Sequence, residues 1–414
     1  MQLTSWPSGD GVVDRLRLAF DTSALSLTVG AEEELMLVDP RSGALVAGAD
    51  AVLDRLPKTG GFQREFRAAQ LETTTRPCLS AADVGRELAF ARLELLEVTG
   101  ERHALLACGT HPTATGLGPI TNAERYRDLA ADNPWAARHM LTCGLHIHVG
   151  LADADRALAV HNALRSYLPE LASLSANSPY HESRRTGLAS TRRMLTRSLA
   201  RHGVPPAFSD WSAYADFSAW ARAGASIPDP SYQWWDLRLH PGFGTLEMRV
   251  CDAQTDIEDT VALVALVQTL VAWLAERHDA GETLPVHDDH RVTESLWVAS
   301  RDSATPEILD LETGTRRPTR DRIAELLSEL APTARELGAD ADLERLRALA
   351  ITRGADLQQR FVGEQGLDRL VGWLARRTSD SACAYIRETE AASGTIPVEA
   401  RPACETRRSV PASA

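Results

Sequence analysis

Lysine is almost missing from this 414-residue chain. Of its 44 basic residues, Lys58 alone is a lysine and the others are arginine. Any grip on a phosphate or carboxylate must therefore come from guanidinium groups, backbone N–H groups or a metal ion. Cysteine is sparse: Cys78, Cys108, Cys143, Cys251, Cys383 and Cys404 form no CxxC pair. Their scatter matches neither a disulfide framework nor a zinc site, so reduced thiols in a cytoplasm are expected. The first ten residues lack the basic and apolar regions of a signal peptide. The most apolar stretch, 261–275, is interrupted by Gln268 and too short to span a bilayer, so it reads as a core helix. Several motifs are also missing. Without GxxxxGK(S/T), a strand-borne GxGxxG, GxSxG or HExxH, P-loop, Rossmann, nucleophile-elbow and zincin chemistries have no anchor. A net charge of −13 argues against nucleic acid or an anionic membrane as partner.

With 44% hydrophobic and 24% charged residues, the chain has the composition of a soluble globular protein large enough for a substantial core. Its first half alternates strand-like runs (27–38, 69–75, 105–110, 144–150, 234–240 and 245–252) with helical ones (80–101 and 153–175). Ser80 suits an N-cap, with Asp83 in the first turn. After about Asp256 the strands are expected to stop, leaving helices over 256–278, 319–330, 341–353 and 367–377. No low-complexity linker separates the halves, so residues 1–390 read as one catalytic domain. The Ala/Ser/Pro-rich end, 391–414, reads as a disordered tail.

Four strands carry chemistry on one face. Side chains alternate across a strand, so in GAEEELMLVDP Glu32 and Glu34 share a face while Glu33, Leu35 and Leu37 take the other. Alone this is equally a solvated edge strand. In QLETTT the single Glu72 stands with Gln70 and Thr74, again compatible with a plain surface strand. In GLHIHVG, His146 and His148 project together, a geometry that suits metal binding or simple hydrogen bonding at a sheet surface. The run WWDLRLHPGFGTLEMRVCD reads as a hairpin with Asp236, Arg238 and His240 on one arm, and Thr245, Glu247 and Arg249 on the other. That pattern fits a salt-bridge ladder, or carboxylate for Mg²⁺ beside guanidinium for phosphate. Together Glu32, Glu34, Glu72, His146 and Glu247 offer oxygen ligands plus imidazole. This set suits Mg²⁺, or Mn²⁺, better than zinc.

The segments GAEEELMLVDP, QLETTTRPC, GLHIHVG, LSANSP, RTGLAS, VPPAF and RLHPGFGTLEMRVCDAQT stand in the order found in the carboxylate–amine ligases. The chain resembles their type 2 glutamate–cysteine ligase group from about Val29 to Asp256, and more loosely to about Thr378. The resemblance implies an α+β fold like that of glutamine synthetase. An antiparallel sheet would form a funnel-like active site, with helices on the outer face and a helical C-terminal part. It implies ATP and Mg²⁺ as cofactors, and a ligase that joins the γ-carboxylate of glutamate to the amine of cysteine or another small amino acid through an acyl phosphate. Carried onto this chain, Glu32, Glu34, Glu72, His146 and Glu247 match metal positions. Arg238 and Arg249 match positions for phosphate or carboxylate contact, and Arg184 and Arg192 lie in the region of the RTG loop as nucleotide contacts. Two places depart from the family: Arg185 where relatives often carry an acid, and Ser295-Leu296 before Trp297 where they commonly carry Asn-Arg. Both bear on the acceptor amine. Partners are then small molecules, with homo-oligomerisation left open. A non-catalytic ATP-binding protein of the same fold and a two-metal hydrolase are the competing readings.

Overall fold

The computed structural model describes residues 11–23, 26–58, 61–224 and 232–393. Its centre is an antiparallel sheet in the spatial order β2 (Phe62–Arg64), β3 (Gln70–Thr74), β1 (Val29–Val38), β5 (Gly144–Gly150), β9 (Thr245–Asp252) and β8 (Leu237–His240). The strand β4 (Ala104–Leu106) pairs with the far end of β1. Strict alternation gives each central strand two unlike faces. On one face, Leu35 and Leu37 of β1, Leu145, Ile147 and Val149 of β5, and Leu246, Met248 and Val250 of β9 are all buried. They share a single apolar core with the helices Ala81–Thr99, Ala154–Leu164 and Ile257–Asp279. The last of these is apolar enough to cross a membrane by composition, but it is almost wholly enclosed by protein. It is the core helix expected for the 261–275 stretch.

The layering fits the expected α+β class, and β5 and β9 have the bounds read from the sequence. Ser80 caps the Ala81–Thr99 helix by accepting from the Asp83 N–H at 3.2 Å. The expected helix over 153–175 is broken at Arg165–Tyr167 into a turn of 3₁₀ helix before Leu168–Leu174. Pro169 explains the break, because it has no N–H to continue the ladder and is tolerated only in a first turn. Strands do not stop at Asp256: a hairpin of β10 (Glu307–Leu309) and β11 (Arg316–Pro318) follows. A second small hairpin, β6 (Tyr180–His181) with β7 (Arg184–Arg185), stands apart from the main sheet. The helix begun at Thr319 runs beyond 330 to Leu337 and ends at Gly338, whose φ of 67° suits glycine. The final helix, Leu370–Ser393, is longer than expected and takes in 391–393 of the supposed tail; the remainder lies outside the described residues. Cys78, Cys108, Cys143 and Cys251 are free and buried, whereas Cys383 is disulfide-bonded, which corrects the expectation of six reduced thiols.

Lys58 sits on an exposed turn after the Ala49–Leu53 helix, paired with Asp54 at 3.2 Å.

Candidate active site

The second face of the sheet carries the acids. Register alone assembles them: Glu34 of β1 lies opposite Glu72 of β3, Glu32 opposite His146 of β5, His148 opposite Glu247 of β9, and Glu247 opposite Arg238 of β8. A register irregularity between Leu145 and Ile147 sets His146 towards Arg249, whose Nη1 lies 3.4 Å from the imidazole Nδ1. The result is a cavity of about 520 Å³ lined by Glu32, Glu34, Glu72, His146, Arg192, Arg238 and Arg249 among others.

Three overlapping groups of ligand atoms, each drawn together within 4.8 Å, run along this face: Glu34–Glu65–Glu72, Glu32–Glu72–His146 and Glu32–His148–Glu247. Glu32 and Glu72 each belong to two of them. The carboxylates are unequally served. Glu32 has His146 Nδ1 at 3.0 Å and His148 Nε2 at 3.2 Å. Burial pushes its pKa up, but the two imidazoles outweigh that and hold it well below the usual range. Glu247 is gripped by Arg238, with Nε at 2.6 Å, and by Arg249. Those guanidiniums overcome burial and keep it ionised. Glu72 and Glu65 have no such relief. Burial first, then neighbouring carboxylates, raise Glu72 well above its ordinary value and push Glu65 to about 8. Crowded acids of this kind are what a hard cation would relieve, and oxygen-rich sets with one imidazole fit Mg²⁺ or Mn²⁺.

Of the residues singled out in the sequence, Glu32, Glu34, Glu72, His146, Arg238, Arg249 and Arg192 line this one space, whereas Glu247 is completely buried, paired with Arg238 and Arg249, and is not part of the lining. Nor does Arg184 line it. It lies on the exposed β6–β7 hairpin and is absent from the cavity lining. Its neighbour Arg185 is occupied by Asp302 at 2.6 Å and Gln359 at 2.7 Å. Ser295 and Leu296 are buried in the Asp289–Ser300 helix, where Ser295 bonds the backbone of Leu309, and neither lines the cavity.

Sequence reasoning left out Glu65, the third member of the most crowded group, and did not count His148 among the ligands. It also missed His202, Trp234, Tyr126, Leu129 and Met140, which form the walls. A signal for Glu65 existed: Gln63 stands opposite Glu72 in the β2–β3 register, and Glu65 follows two residues on. Three residues of strand are too few to show an alternation.

Arg192 enters from the short Thr191–Thr196 helix. Its guanidinium donates to the carbonyls of Arg249 (3.2 Å) and Val250 (3.4 Å), and lies against Gly144. A Cβ at Gly144 would come within 2.4 Å of Nη2, so only glycine permits the approach. The Gly144 N–H in turn holds Glu34 Oε2 at 2.6 Å.

The sequence profile of glutamate–cysteine ligase family 2 matches residues 28–370. A Rubrobacter xylanophilus chain with the provisional name glutamate–cysteine ligase 2-3 is 37% identical over 365 residues, covering 85% of this chain and 97% of that one. A Thermobifida fusca chain provisionally named glutamate–cysteine ligase 2 is 33% identical over 347 residues, covering 82% and 87%. Among solved structures, the glutamate–cysteine ligase of Francisella tularensis in complex with AMP matches with a TM-score of 0.64. The match covers 91% of this chain and 96% of that one at 13% identity, a likeness of fold.

Proposed function

As the chain belongs to glutamate–cysteine ligase family 2, we propose that it joins the γ-carboxylate of L-glutamate to the amine of a small amino acid, cysteine or another small or apolar one, releasing ADP and phosphate. Membership makes it an ATP-dependent ligase that forms an amide bond. The observation that carries the finer reading is the run of three ligand groups sharing Glu32 and Glu72, flanked by Arg238 and Arg249.

The chemistry asks for such an arrangement. A carboxylate is a poor electrophile, so it must first take a phosphoryl group and become an acyl phosphate, whose phosphate then leaves as the amine attacks the carbonyl carbon. Bound divalent cations, Mg²⁺ by choice of donors, would neutralise the charge carried by the phosphates and the transferred group. Glu32, Glu34, Glu65, Glu72, His146, His148 and Glu247 are the residues available to hold them. Arg249, held rigidly on β9 by Glu247, presents fixed positive charge to the oxygens that gain it in the transition state. No protein nucleophile is needed. In this reading residues 1–390 act as one catalytic unit.

The test is ADP release coupled to product mass spectrometry, with ATP, Mg²⁺, glutamate and a panel of amino acids. A γ-glutamyl dipeptide whose mass tracks the amine supplied is expected. ADP release that no amine stimulates, from folded and metal-loaded protein, would overturn the reading.

A further inference from the structure

A second cavity, of about 210 Å³, shares no lining residue with the acidic one. One water needs only about 10–15 Å³ of such space, so there is room for a small molecule. Its walls come from separate parts of the chain. Tyr167 belongs to the 3₁₀ turn Arg165–Tyr167, and Glu170 to the helix Leu168–Leu174 that follows. Asp310 and Arg317 stand on the β10–β11 hairpin, and Arg322 on the helix Thr319–Leu337. The hairpin is held from behind. Ser295 Oγ donates to the Leu309 carbonyl at 3.2 Å and accepts its N–H at 3.0 Å. Asp310 Oδ1 closes the turn by accepting the N–H groups of Glu312 at 3.1 Å and Thr313 at 2.8 Å.

These walls leave polar atoms unspent. The Glu170 side chain is only 7% exposed, and burial pushes its pKa up. Arg322 answers it with Nε at 3.0 Å and sends Nη1 to Glu329 at 3.3 Å. Among the described residues, Arg322 Nη2 makes no hydrogen bond. Arg317 gives Nη2 to Glu325 at 2.5 Å. Its Nη1 stands 3.9 Å from Asp310 Oδ2, too far for a hydrogen bond. Burial pushes the Tyr167 hydroxyl up to about 12, so it stays protonated, and it bonds no group among the described residues. Buried polar groups are ordinarily satisfied, and several left open around one small space mark a place completed by a ligand.

The signs of the charges say which kind. An anion alone would meet the carboxylates of Glu170 and Asp310, and a cation alone the guanidiniums of Arg317 and Arg322. Only a molecule carrying both charges is answered at both ends. We propose that this second cavity binds a zwitterionic amino acid, its carboxylate taken by Arg317 and Arg322 and its ammonium by Glu170 and Asp310. Such a site lies outside the ligation chemistry and does not depend on it.

The probe is L-alanine, with acetate and ethylammonium as its two halves. Binding of each radiolabelled compound to the full chain is read by equilibrium dialysis, up to about 50 mM. Each half should bind at least about 10-fold more weakly than L-alanine. Arg317→Gln is expected to weaken L-alanine binding about 10-fold, the scale of one lost charge-assisted hydrogen bond. Leu311 lines the cavity beside these charges, and Leu311→Trp should fill the space and abolish binding. Should that variant fail to fold, Arg317→Gln alone decides. L-alanine that binds Arg317→Gln as it binds wild type is seated elsewhere and overturns the proposal. So does acetate that binds as well as L-alanine, or L-alanine that does not bind at all. A chain that binds L-alanine here yet releases no ADP with any amine defeats the ligase reading alone.

Discussion

Glu33 and Glu34 are neighbours on β1, yet the two sides of the sheet treat them in opposite ways. Glu33 points into the helical layer and is completely buried. Arg92 meets it with two nitrogens, Nε at 2.9 Å and Nη2 at 2.5 Å. The remaining donors of Arg92 are spent on the carbonyls of Gln254 (2.7 Å), Thr255 (2.8 Å) and Thr378 (3.3 Å). That charge is fully answered within the fold. Glu34 points into the cavity, crowded by Glu65 and Glu72, with the Gly144 N–H and a histidine nitrogen at 3.8 Å. One face spends its polar atoms on structure. The other leaves acids unreconciled, which a fold tolerates where a charged ligand is to be held.

The comparison breaks most visibly at Arg92. Arg92→Ala leaves Glu33 as an unanswered charge in the core, and a loss of about 3–5 kcal/mol in urea unfolding is expected. A loss below about 1 kcal/mol would mean that the rear face is not the settled one. Glu34→Gln should do the reverse. We expect kcat to fall by at least about 100-fold, roughly 3 kcal/mol of transition-state stabilisation. The metal-free variant should unfold no earlier than wild type, because one of three repelling carboxylates is gone. An early-melting variant with near-normal turnover would refute the role given to that face. A smaller effect sharpens the picture for a neutral buried group. His111 Nε2 bonds the Gly43 carbonyl at 2.9 Å, and Nδ1 accepts from the N–H groups of Thr113 and Ala114. Burial lowers its pKa from 6.5 to about 4. The unfolded chain then binds more protons than the folded one between those values. Stability present above pH 6.5 is therefore lost as pH falls towards 4, by about 2 kcal/mol at pH 5. His111→Asn should flatten that part of the urea-midpoint profile between pH 7.5 and 5; an unchanged slope would assign the acid sensitivity elsewhere.

Much of the acidic face was legible because strands have a period of two. Alternation separated Glu32 and Glu34 from Glu33, and set Glu247 and Arg249 apart from the apolar residues between them. What alternation could not supply was anything outside a strand. His202 and Trp234 reach the cavity from irregular segments, and Tyr126 and Leu129 from the helix Glu124–Asp132; only tertiary packing brings them there. Arg184 went astray for the same reason. A motif gives a residue a place in the chain order, but the side to which a two-residue hairpin turns depends on what packs beneath it.

The bond from Arg92 to the Thr378 carbonyl joins residues 286 positions apart. The Thr378 hydroxyl oxygen also accepts from the Ala107 N–H at 3.2 Å, and the Tyr385 hydroxyl donates to the Ala82 carbonyl at 3.2 Å. These contacts impose an order on biosynthesis. Chains emerge from the ribosome N-terminus first, at about 5–20 residues per second. The strand bearing the cavity's acids is made well before the helix that closes the space behind it. The pair of Glu33 and Arg92 gains its last bond only when Thr378 has joined the fold.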